Sequence, residues 1–553
     1  MAPDPSICVL ATAGAGKTRV LTLRIARRVS DGTADRRRVL VCTFSRKAAS
    51  ELRARLWRIG VADVCAGTLH RTALGLLAEH ASLHGYPLPR IIDRRRLLAS
   101  VLGTGNDHSS PAVLRLDAEI GWAKARLLPP EAYLDQAVAV GRGPKPALQA
   151  IAASYRDYET ERRRRQLADL DDLLVDSGHL LASDPRFAEA IRWRHAHVFV
   201  DEFQDLNPAQ FRLLRRMLDE RPDVFVVGDP NQAIYGWNGA DPTLLDELPE
   251  RIPGTRVIRL DDNHRSSPEI VAMSNCALGP SRFPEPQSSR SSGTVPTISA
   301  HGSDDDEANW VARQIRRTGA RQHWADIAVL ARTNAQLARI ANALARERIP
   351  SCRVGEEREP GSDVAVASDP DDGHGGSEAL PPEPAPQDGV ALATFHRAKG
   401  LEWPIVFVVG LREGLMPIAA ARTAAALAEE RRLLYVALTR ARDHLSCSWS
   451  EEQGSAPCRW LQDIQAAVSE FEAARAPADP QLAAEHLAAL RAALRASEPD
   501  LQPRRGAQAA ASAATNALAR SPNSRDPKGS NSGSRDPQGW PAAATSKSTM
   551  TGA

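Results

Sequence analysis

The sequence is poor in cysteine and has no apolar run long enough to cross a membrane. Its seven cysteines among 553 residues are scattered and never form a C-x-x-C pair. The sequence therefore indicates neither a disulfide framework nor a cysteine-based zinc or iron–sulfur site. The N-terminus lacks the pattern of a signal peptide. We expect a cytoplasmic protein without a membrane partner.

Lysine and aromatic residues are also scarce, and neither charge sign dominates. The 70 basic and 68 acidic residues leave a net charge of +2, so nucleic-acid binding would have to depend on local patches. Only seven of the basic residues are lysine, and aromatic residues make up 5% of the chain. Because nearly all the basic residues are arginine, a lysine that is retained is a candidate for a chemical role. Three of the seven, Lys17, Lys47 and Lys399, lie in the motifs described below.

The pattern of apolar residues predicts an α/β protein of several domains. Hydrophobic residues make up 42% of the chain, which is enough for packed cores at this length. Short apolar strands alternate with helices in two regions, as in parallel, doubly wound lobes. Two Gly-, Pro- and Ser-rich stretches are expected to be disordered. We predict a first lobe at 1–71 and 195–258, a helical insertion at 72–194, a second lobe at 259–355 and 390–470, a polar loop at 356–389, a helical extension at 471–502 and a disordered tail at 503–553.

A phosphate-binding loop follows the first predicted strand and opens a helix, which is the context that such a loop requires. Its backbone N–H groups and the helix N-terminus can surround the phosphates of ATP. Lys17 can reach the β and γ oxygens, and Thr18 can ligate Mg²⁺. A surface glycine loop is the plainer alternative. The residues predicted to hold the nucleotide are Ala11, Thr12, Ala13, Gly14, Ala15, Gly16, Lys17, Thr18 and Arg19.

A second motif, which is acidic, supports the same chemistry. Asp201 and Glu202 follow the apolar run Val198-Phe199-Val200, which places them at the end of a strand. Asp201 would hold the same Mg²⁺ as Thr18, and Glu202 would polarise the attacking water. An acidic pair after a strand can also be a solvated strand end. Both motifs in one chain favour an ATP-hydrolysing enzyme.

Further motifs give the chain a family resemblance. They are Thr43-Phe44-Ser45-Arg46-Lys47, Gly67-Thr68-Leu69-His70, Asp201-Glu202-Phe203-Gln204-Asp205, Gly228 to Trp237, Asn263-His264-Arg265-Ser266, Thr394 to Glu402 and Glu430 to Ala441. Over roughly residues 7 to 465, the chain resembles the UvrD/Rep-type helicases of superfamily 1. The resemblance implies two RecA-like P-loop lobes with ATP and Mg²⁺ in the cleft. It also implies a monomer that moves 3′ to 5′ on single-stranded DNA and opens tailed duplex DNA.

The resemblance also assigns nucleotide contacts. Gln232 is expected to sense the γ-phosphate or orient water, with a plain polar loop residue as the alternative. Arg265 and Arg440 would supply delocalised positive charge to the transferring phosphoryl group; surface ion pairs are the alternative. Glu402 matches a glutamate near the nucleotide sugar, unless it is merely a surface residue. His264 replaces the family's aromatic that stacks on adenine.

Loop aromatics are the predicted contacts to DNA bases. Phe44, Tyr235 and Trp237 lie in polar loops after predicted strands, where they can stack on bases without reading sequence; core packing is the alternative. The residues suited to phosphate contact are Thr43, Thr68, His70, Arg71, Thr394 and His396. The run Arg162 to Arg165 fits either a solvated helix face or a contact to the duplex backbone.

Besides His264, the sequence departs from the family pattern at two further places that affect function. No glutamine precedes Lys17, although the family recognises adenine with an N-terminal glutamine, so we expect weak selectivity for adenine. The polar stretch 356–389 replaces a large helical insertion of the second lobe. That replacement favours an alternative function, a DNA-stimulated ATPase that translocates or remodels protein–DNA complexes without processive unwinding.

Overall fold

The computed structural model describes residues 6–219, 223–280, 283, 285–319, 323–355 and 389–475. These residues belong to one compact unit, Met1–Ala476. Nearly all of the predicted polar loop at 356–389, most of the predicted extension at 471–502 and the whole tail at 503–553 lie outside the described residues. Within the described ranges, no helix is long and apolar enough to span a bilayer.

The first lobe is built on a six-stranded parallel sheet with the order β3-β2-β6-β7-β1-β8. Two of its central strands, Val39–Thr43 and Val224–Gly228, are buried at every position and are apolar up to their last residue, as expected for a parallel sheet covered on both faces. A separate pair, β4 and β5, lies in the insertion. The strands are β1 (Ile7–Ala11), β2 (Val39–Thr43), β3 (Cys65–Thr68), β4 (Arg90–Ile91), β5 (Leu167–Ala168), β6 (His197–Val200), β7 (Val224–Gly228) and β8 (Arg256–Leu260).

Helices cover both faces of this sheet and also form the insertion. The helices are α1 (Lys17–Ser30), α2 (Arg46–Arg58), α3 (Leu69–His84), α4 (Arg94–Val101), α5 (Pro111–Ala125), α6 (Pro130–Ala139), α7 (Lys145–Arg164), α8 (Leu170–Ser183), α9 (Pro185–Arg194), α10 (Pro208–Leu218), α11 (Thr243–Asp246) and α12 (Leu248–Arg251). One face packs on α1 and α2, and the other packs on α3 and α8 to α10. Helices α4 to α7 share a core of their own.

The second lobe repeats this plan with a parallel sheet of order β11-β16-β15-β12-β14-β13. Helices α14 and α15 cover one face, and α13, α16 and α17 cover the other. The elements are β9 (Asp262–Asn263), α13 (Pro268–Leu278), β10 (Gln287–Ser288), β11 (Thr297–His301), α14 (Asp304–Gly319), β12 (Ile327–Ala331), α15 (Asn334–Arg346), β13 (Ser351–Arg353), β14 (Val390–Thr394), β15 (Trp403–Val408), α16 (Ala424–Leu438), β16 (Ala441–Ser450) and α17 (Leu461–Arg475).

The predicted fold class, two RecA-like α/β lobes with a helical insertion, is confirmed. The structure adds details that the apolar pattern did not show. The ten-residue β16 was not predicted, because polar residues such as Asp443 and His444 alternate with its buried ones. The segment 72–194 also holds the short β4·β5 pair.

A buried lysine joins the helical insertion to the first lobe. The Lys124 ammonium on α5 lies 2.8 Å from both Asp169 and Asp172 at the start of α8, and 2.9 Å from Glu159 on α7. Burial alone would lower the pKa of Lys124, but these carboxylates outweigh it and hold the pKa above its ordinary value. The Tyr158 hydroxyl also donates to Asp169 at 2.7 Å. Arg94 and Arg162 also pair with these carboxylates, so the buried negative charges are balanced by three cations.

We predict that Lys124→Met lowers the free energy of unfolding by about 3–5 kcal/mol, because it removes the one ammonium group that three buried carboxylates share. Urea unfolding of the full chain measures the loss. The matched control is Lys145→Met, which removes an exposed lysine at the start of α7 and should change stability by no more than about 0.5 kcal/mol. A similar small effect of both substitutions would contradict a structural role for the network.

Candidate active site

The predicted site residues of the first lobe converge on one edge of the sheet. All six strands are parallel, so their carboxyl ends meet at the same edge. The phosphate-binding loop follows β1, the acidic motif follows β6, and the segment that leads to Gln232 follows β7. Residues far apart in sequence are thereby brought within hydrogen-bonding distance.

The loop between β1 and α1 is shaped by two glycines. Gly14 and Gly16 have φ angles of 76° and 82°, which lie in the left-handed region that favours glycine. Gly14 is also packed tightly, because a Cβ there would lie 2.5 Å from Oδ1 of Asn263. Gly16 precedes α1, whose N-terminus has no side-chain cap. Its free N–H groups therefore form the kind of cradle that binds phosphate.

Lys17 and Thr18 lie at the start of α1 beside acidic residues from two other strands. The Lys17 ammonium is 3.5 Å from Asp229 and donates to the Ala11 carbonyl oxygen at 3.3 Å. The Thr18 hydroxyl donates to Asp201 at 3.3 Å. Burial, with the nearby Glu202 charge, raises the pKa of Asp201 to about 7. A hydroxyl and a buried carboxylate in contact are the donor set that Mg²⁺ takes in a P-loop site.

Glu202 is held in a strained conformation. Its φ of 52° places it in the left-handed region, which is uncommon for a residue other than glycine and is a feature of functional sites. The Gln204 amide donates to its carboxylate at 2.5 Å. Burial opposes ionisation of Glu202, yet the charges of Lys399 and Lys17 hold its pKa below the usual range. The side chain is therefore a carboxylate, as a residue that polarises water has to be.

Gln232 and Arg440 connect the two lobes at this site. The Gln232 amide donates to Asp229 at 2.6 Å, and its oxygen accepts from Arg440 at 3.4 Å. Arg440 is 1% exposed, and burial together with Arg265 lowers its pKa to about 9. It remains a cation at neutral pH. The second lobe thus delivers a buried positive charge to the phosphate-binding edge of the first.

Arg265 and His264 lie beside the same cleft. Arg265 donates to Glu402 at 2.5 Å and to the Thr439 carbonyl oxygen at 3.2 Å, so Glu402 pairs with an arginine of the site. The backbone N–H of His264 donates to the Gly14 carbonyl oxygen at 3.0 Å. Its imidazole is exposed and lies 2.6 Å from the Ser289 hydroxyl. Ser289 gave no signal in the sequence, because it lies in a polar stretch between motifs.

The predicted base-stacking aromatics form a row across both lobes. The rings of Phe44 and Tyr235 are stacked, with centroids 4.9 Å apart and planes 15° apart. His396 of the second lobe lies 6.3 Å from Tyr235 and 6.2 Å from Trp237. Phe44 and Trp237 are 41% and 52% exposed. We call these four side chains the aromatic row. Core packing does not account for its exposed members.

The predicted phosphate contacts lie near this row, but most of their polar groups serve the local fold. The Thr68 hydroxyl accepts from the backbone of Arg71 and caps α3. Thr43 is buried and donates to the Ser45 carbonyl oxygen. His70 lies 3.9 Å from Asp171. Thr394 accepts from the backbone of Arg397, and burial with the Arg332 charge lowers the pKa of His396 to about 4.

The arginine run at the end of α7 contacts glutamates of its own helix. Arg162 and Arg163 pair with Glu159 at 2.8 and 3.4 Å. Arg164 and Arg165 pair with Glu161 at 2.7 and 2.5 Å. Arg162 is only 15% exposed and also pairs with Asp172 at 3.3 Å, whereas the side chains of the other three arginines are between 42% and 71% exposed. Those three favour the interpretation of a solvated helix face.

Several contacts between the lobes were not assigned from the sequence. Lys399 donates to both carboxylate oxygens of Asp205, at 2.7 and 2.6 Å, and to the Gln232 carbonyl oxygen at 2.6 Å. Arg432 donates to the Ala233 carbonyl oxygen at 2.7 Å. The sequence indicated a role for Lys399 only because it is one of the few lysines and lies within a motif. Its partner could not be found by spacing, since 194 residues separate the two.

Comparison with protein families decides the assignment. Residues 2–253 match the UvrD/REP helicase N-terminal domain, and residues 258–358 and 380–452 match the UvrD-like helicase C-terminal domain. The chain belongs to the UvrD/REP helicase family. The two matches cover both lobes and all the motifs described above.

Individual members of the UvrD/REP family give the same result. The chain is 33% identical over 562 residues to "ATP-dependent DNA helicase UvrD2" of Mycobacterium tuberculosis, covering 84% of this chain and 80% of that protein. It is 30% identical to "ATP-dependent DNA helicase PcrA" of Leuconostoc citreum over 63% of this chain and 48% of that protein. It is 31% identical to "ATP-dependent DNA helicase UvrD1" of M. tuberculosis over 64% and 48%.

We predict that Gly14→Ala weakens nucleotide binding strongly, because the new Cβ collides with Asn263 and displaces the loop that cradles phosphate. Fluorescent-nucleotide titration measures the affinity. The matched control is Gly32→Ala, since Gly32 has a similar φ of 72° but nothing within 4 Å of its Cβ position. The control should lose about 1 kcal/mol of stability and keep its nucleotide affinity. Equal affinities of the two variants would contradict the assignment.

Proposed function

We propose that the chain is an ATP-dependent DNA helicase that uses Mg²⁺ and translocates 3′ to 5′ on single-stranded DNA. The observation that carries the proposal is the chain of contacts from Lys17 through Asp229 and Gln232 to Arg440. It joins a phosphate-binding loop of one lobe to a buried arginine of the other. The family membership and the printed names of UvrD2, PcrA and UvrD1 support it.

The site residues divide the work of ATP hydrolysis. The loop from Ala11 to Gly16 and the N-terminus of α1 bind the phosphates, and Lys17 neutralises charge on them. Thr18 and Asp201 would hold Mg²⁺, which would neutralise phosphate charge when bound. Glu202 accepts a proton from water that attacks the γ-phosphorus. The leaving group is ADP.

The two arginines act on the transition state. Its charge spreads over the equatorial oxygens of the transferring group, so positioned cations stabilise it more than the ground state. Arg440 is buried and Arg265 is fixed by Glu402 and Thr439, so neither has to be ordered again in each turnover. Both belong to the second lobe. Hydrolysis therefore depends on how closely the lobes approach.

One segment connects the hydrolytic site to the aromatic row. Gln232 contacts Arg440, and the next five residues lead to Tyr235 and Trp237. The second lobe holds this segment through Lys399 at Gln232 and Arg432 at Ala233. A change in lobe approach on hydrolysis would move the aromatic row, so that bases are released and bound again in turn.

Strand separation tests the proposal directly. Duplexes with a 3′ or a 5′ single-stranded tail are incubated with the chain, ATP and Mg²⁺, and ATP hydrolysis is followed in the same samples. The proposal predicts separation of the 3′-tailed duplex only, with none by Lys17→Ala. DNA-stimulated hydrolysis without separation of either duplex would favour the alternative, a translocase without processive unwinding. Residues 354–389, which connect β13 to β14, stand where the family has a large helical insertion, and the lack of that insertion supports the alternative.

We predict that Trp237→Ala weakens single-strand DNA binding by roughly 1–3 kcal/mol, the usual contribution of one stacked base, with little dependence on sequence. Fluorescence anisotropy with oligonucleotides of different composition measures it. The control is Trp57→Ala, which removes a tryptophan of α2 that is 60% exposed and lies outside the aromatic row. If Trp237→Ala leaves the affinity unchanged and lowers the melting temperature instead, its ring serves packing rather than DNA.

A further inference from the structure

Two histidines and one aspartate form a cluster on the first lobe outside the residues assigned to ATP and DNA. His80 and His84 lie four residues apart in the last turn of α3, and therefore on one side of that helix. Asp184 precedes α9. Its Oδ2 lies 3.2 Å from Nε2 of His80 and 3.9 Å from Nε2 of His84. One ligand atom from each residue falls within 4.8 Å of the others.

These separations fit a transition-metal ion. Zinc binds imidazole nitrogen and carboxylate oxygen at about 2.0–2.2 Å, so ligand atoms around a tetrahedral ion stand roughly 3.4 Å apart. The two histidine–aspartate distances, 3.2 and 3.9 Å, lie on either side of that value. Imidazole is a ligand for zinc, copper and nickel, whereas Mg²⁺ prefers oxygen alone. We propose that His80, His84 and Asp184 bind one Zn²⁺ ion, with water as the fourth ligand.

The groups behind the ligands already hold them in place. Nδ1 of His80 lies 2.9 Å from the Tyr86 hydroxyl. When Nε2 binds the metal, the ring proton resides on Nδ1, and this N–H group donates a hydrogen bond to the Tyr86 oxygen. Oδ1 of Asp184 accepts from the backbone N–H groups of Arg186 and Phe187 at 3.1 and 3.0 Å, which leaves Oδ2 for the ion. Such outer partners orient metal ligands in proteins.

The site is open to solvent and would tie two helices together. The side chain of His84 is 54% exposed, that of Asp184 is 29% exposed and that of His80 is 13% exposed, so an ion can enter without unfolding. Zinc would link the end of α3 to the start of α9; the far end of α9 is already joined to α3 by Arg194, which lies 2.6 Å from Glu79. Bound only by the folded state, it would stabilise the first lobe.

Zinc titration of the full chain tests the proposal. A chromogenic competitor reports free Zn²⁺, and excess Mg²⁺ is present so that zinc does not report on the proposed nucleotide site. We expect one tightly bound ion, a rise in melting temperature with Zn²⁺, and loss of both in His84→Ala, whose exposed position makes misfolding a minor concern. Tyr86→Phe removes only the outer hydroxyl and should weaken binding roughly 10- to 100-fold.

The matched control is His179→Ala, which removes an exposed helical histidine three residues after Asp176 on α8. It should bind zinc as the unaltered chain does. The proposal is overturned if the chain binds no zinc, or if His84→Ala binds zinc with the same affinity and stoichiometry as His179→Ala. The readouts are zinc binding and melting temperature, so failure of the helicase proposal would leave this result unaffected.

Discussion

A buried ion pair between the two lobes is the interaction on which the proposed coupling depends. Lys399 of the second lobe and Asp205 of the first are 6% and 1% exposed at the side chain, with the ammonium 2.6 Å from the carboxylate. Taking two charges out of water is costly, and separating them while both stay buried costs more. The pair therefore favours two discrete arrangements, closed with the charges together or open with both in water. That property suits a motor whose lobes alternate.

The position of this pair links it to both proposed sites. Asp205 ends the motif that carries Asp201 and Glu202, and Lys399 also holds the carbonyl oxygen of Gln232. The Lys399 ammonium lies 5.1 Å from the centre of the Tyr235 ring, within the range of a cation–π contact. A single side chain thus contacts the acidic motif, the Gln232 carbonyl oxygen and the aromatic row.

The sequence predicted the parts that depend on local pattern. Apolar runs predicted the strands, and their alternation with helices predicted the two lobes. The motifs follow these strands, and they meet because parallel strands bring their ends to one edge of the sheet. Contacts between distant segments could not be predicted. The contact of Lys399 with Asp205 depends on how the two lobes pack, whereas those of Arg265 with Glu402 and of His264 with Ser289 depend on the tertiary fold of the second lobe. A local motif can also suggest a contact that the structure does not show: Thr68 is of a type suited to phosphate contact, but its hydroxyl caps a helix.

A double-mutant cycle on Lys399 and Asp205 tests directly whether this ion pair couples the two lobes. ATP turnover is measured with and without single-stranded DNA in Lys399→Met, Asp205→Asn and the double variant, after melting curves establish that each is folded. The account predicts that each single substitution reduces DNA stimulation and that the double variant is no worse than the worse single, because one interaction is lost in all three. Additive losses, or stimulation equal to that of the unaltered chain, would contradict it.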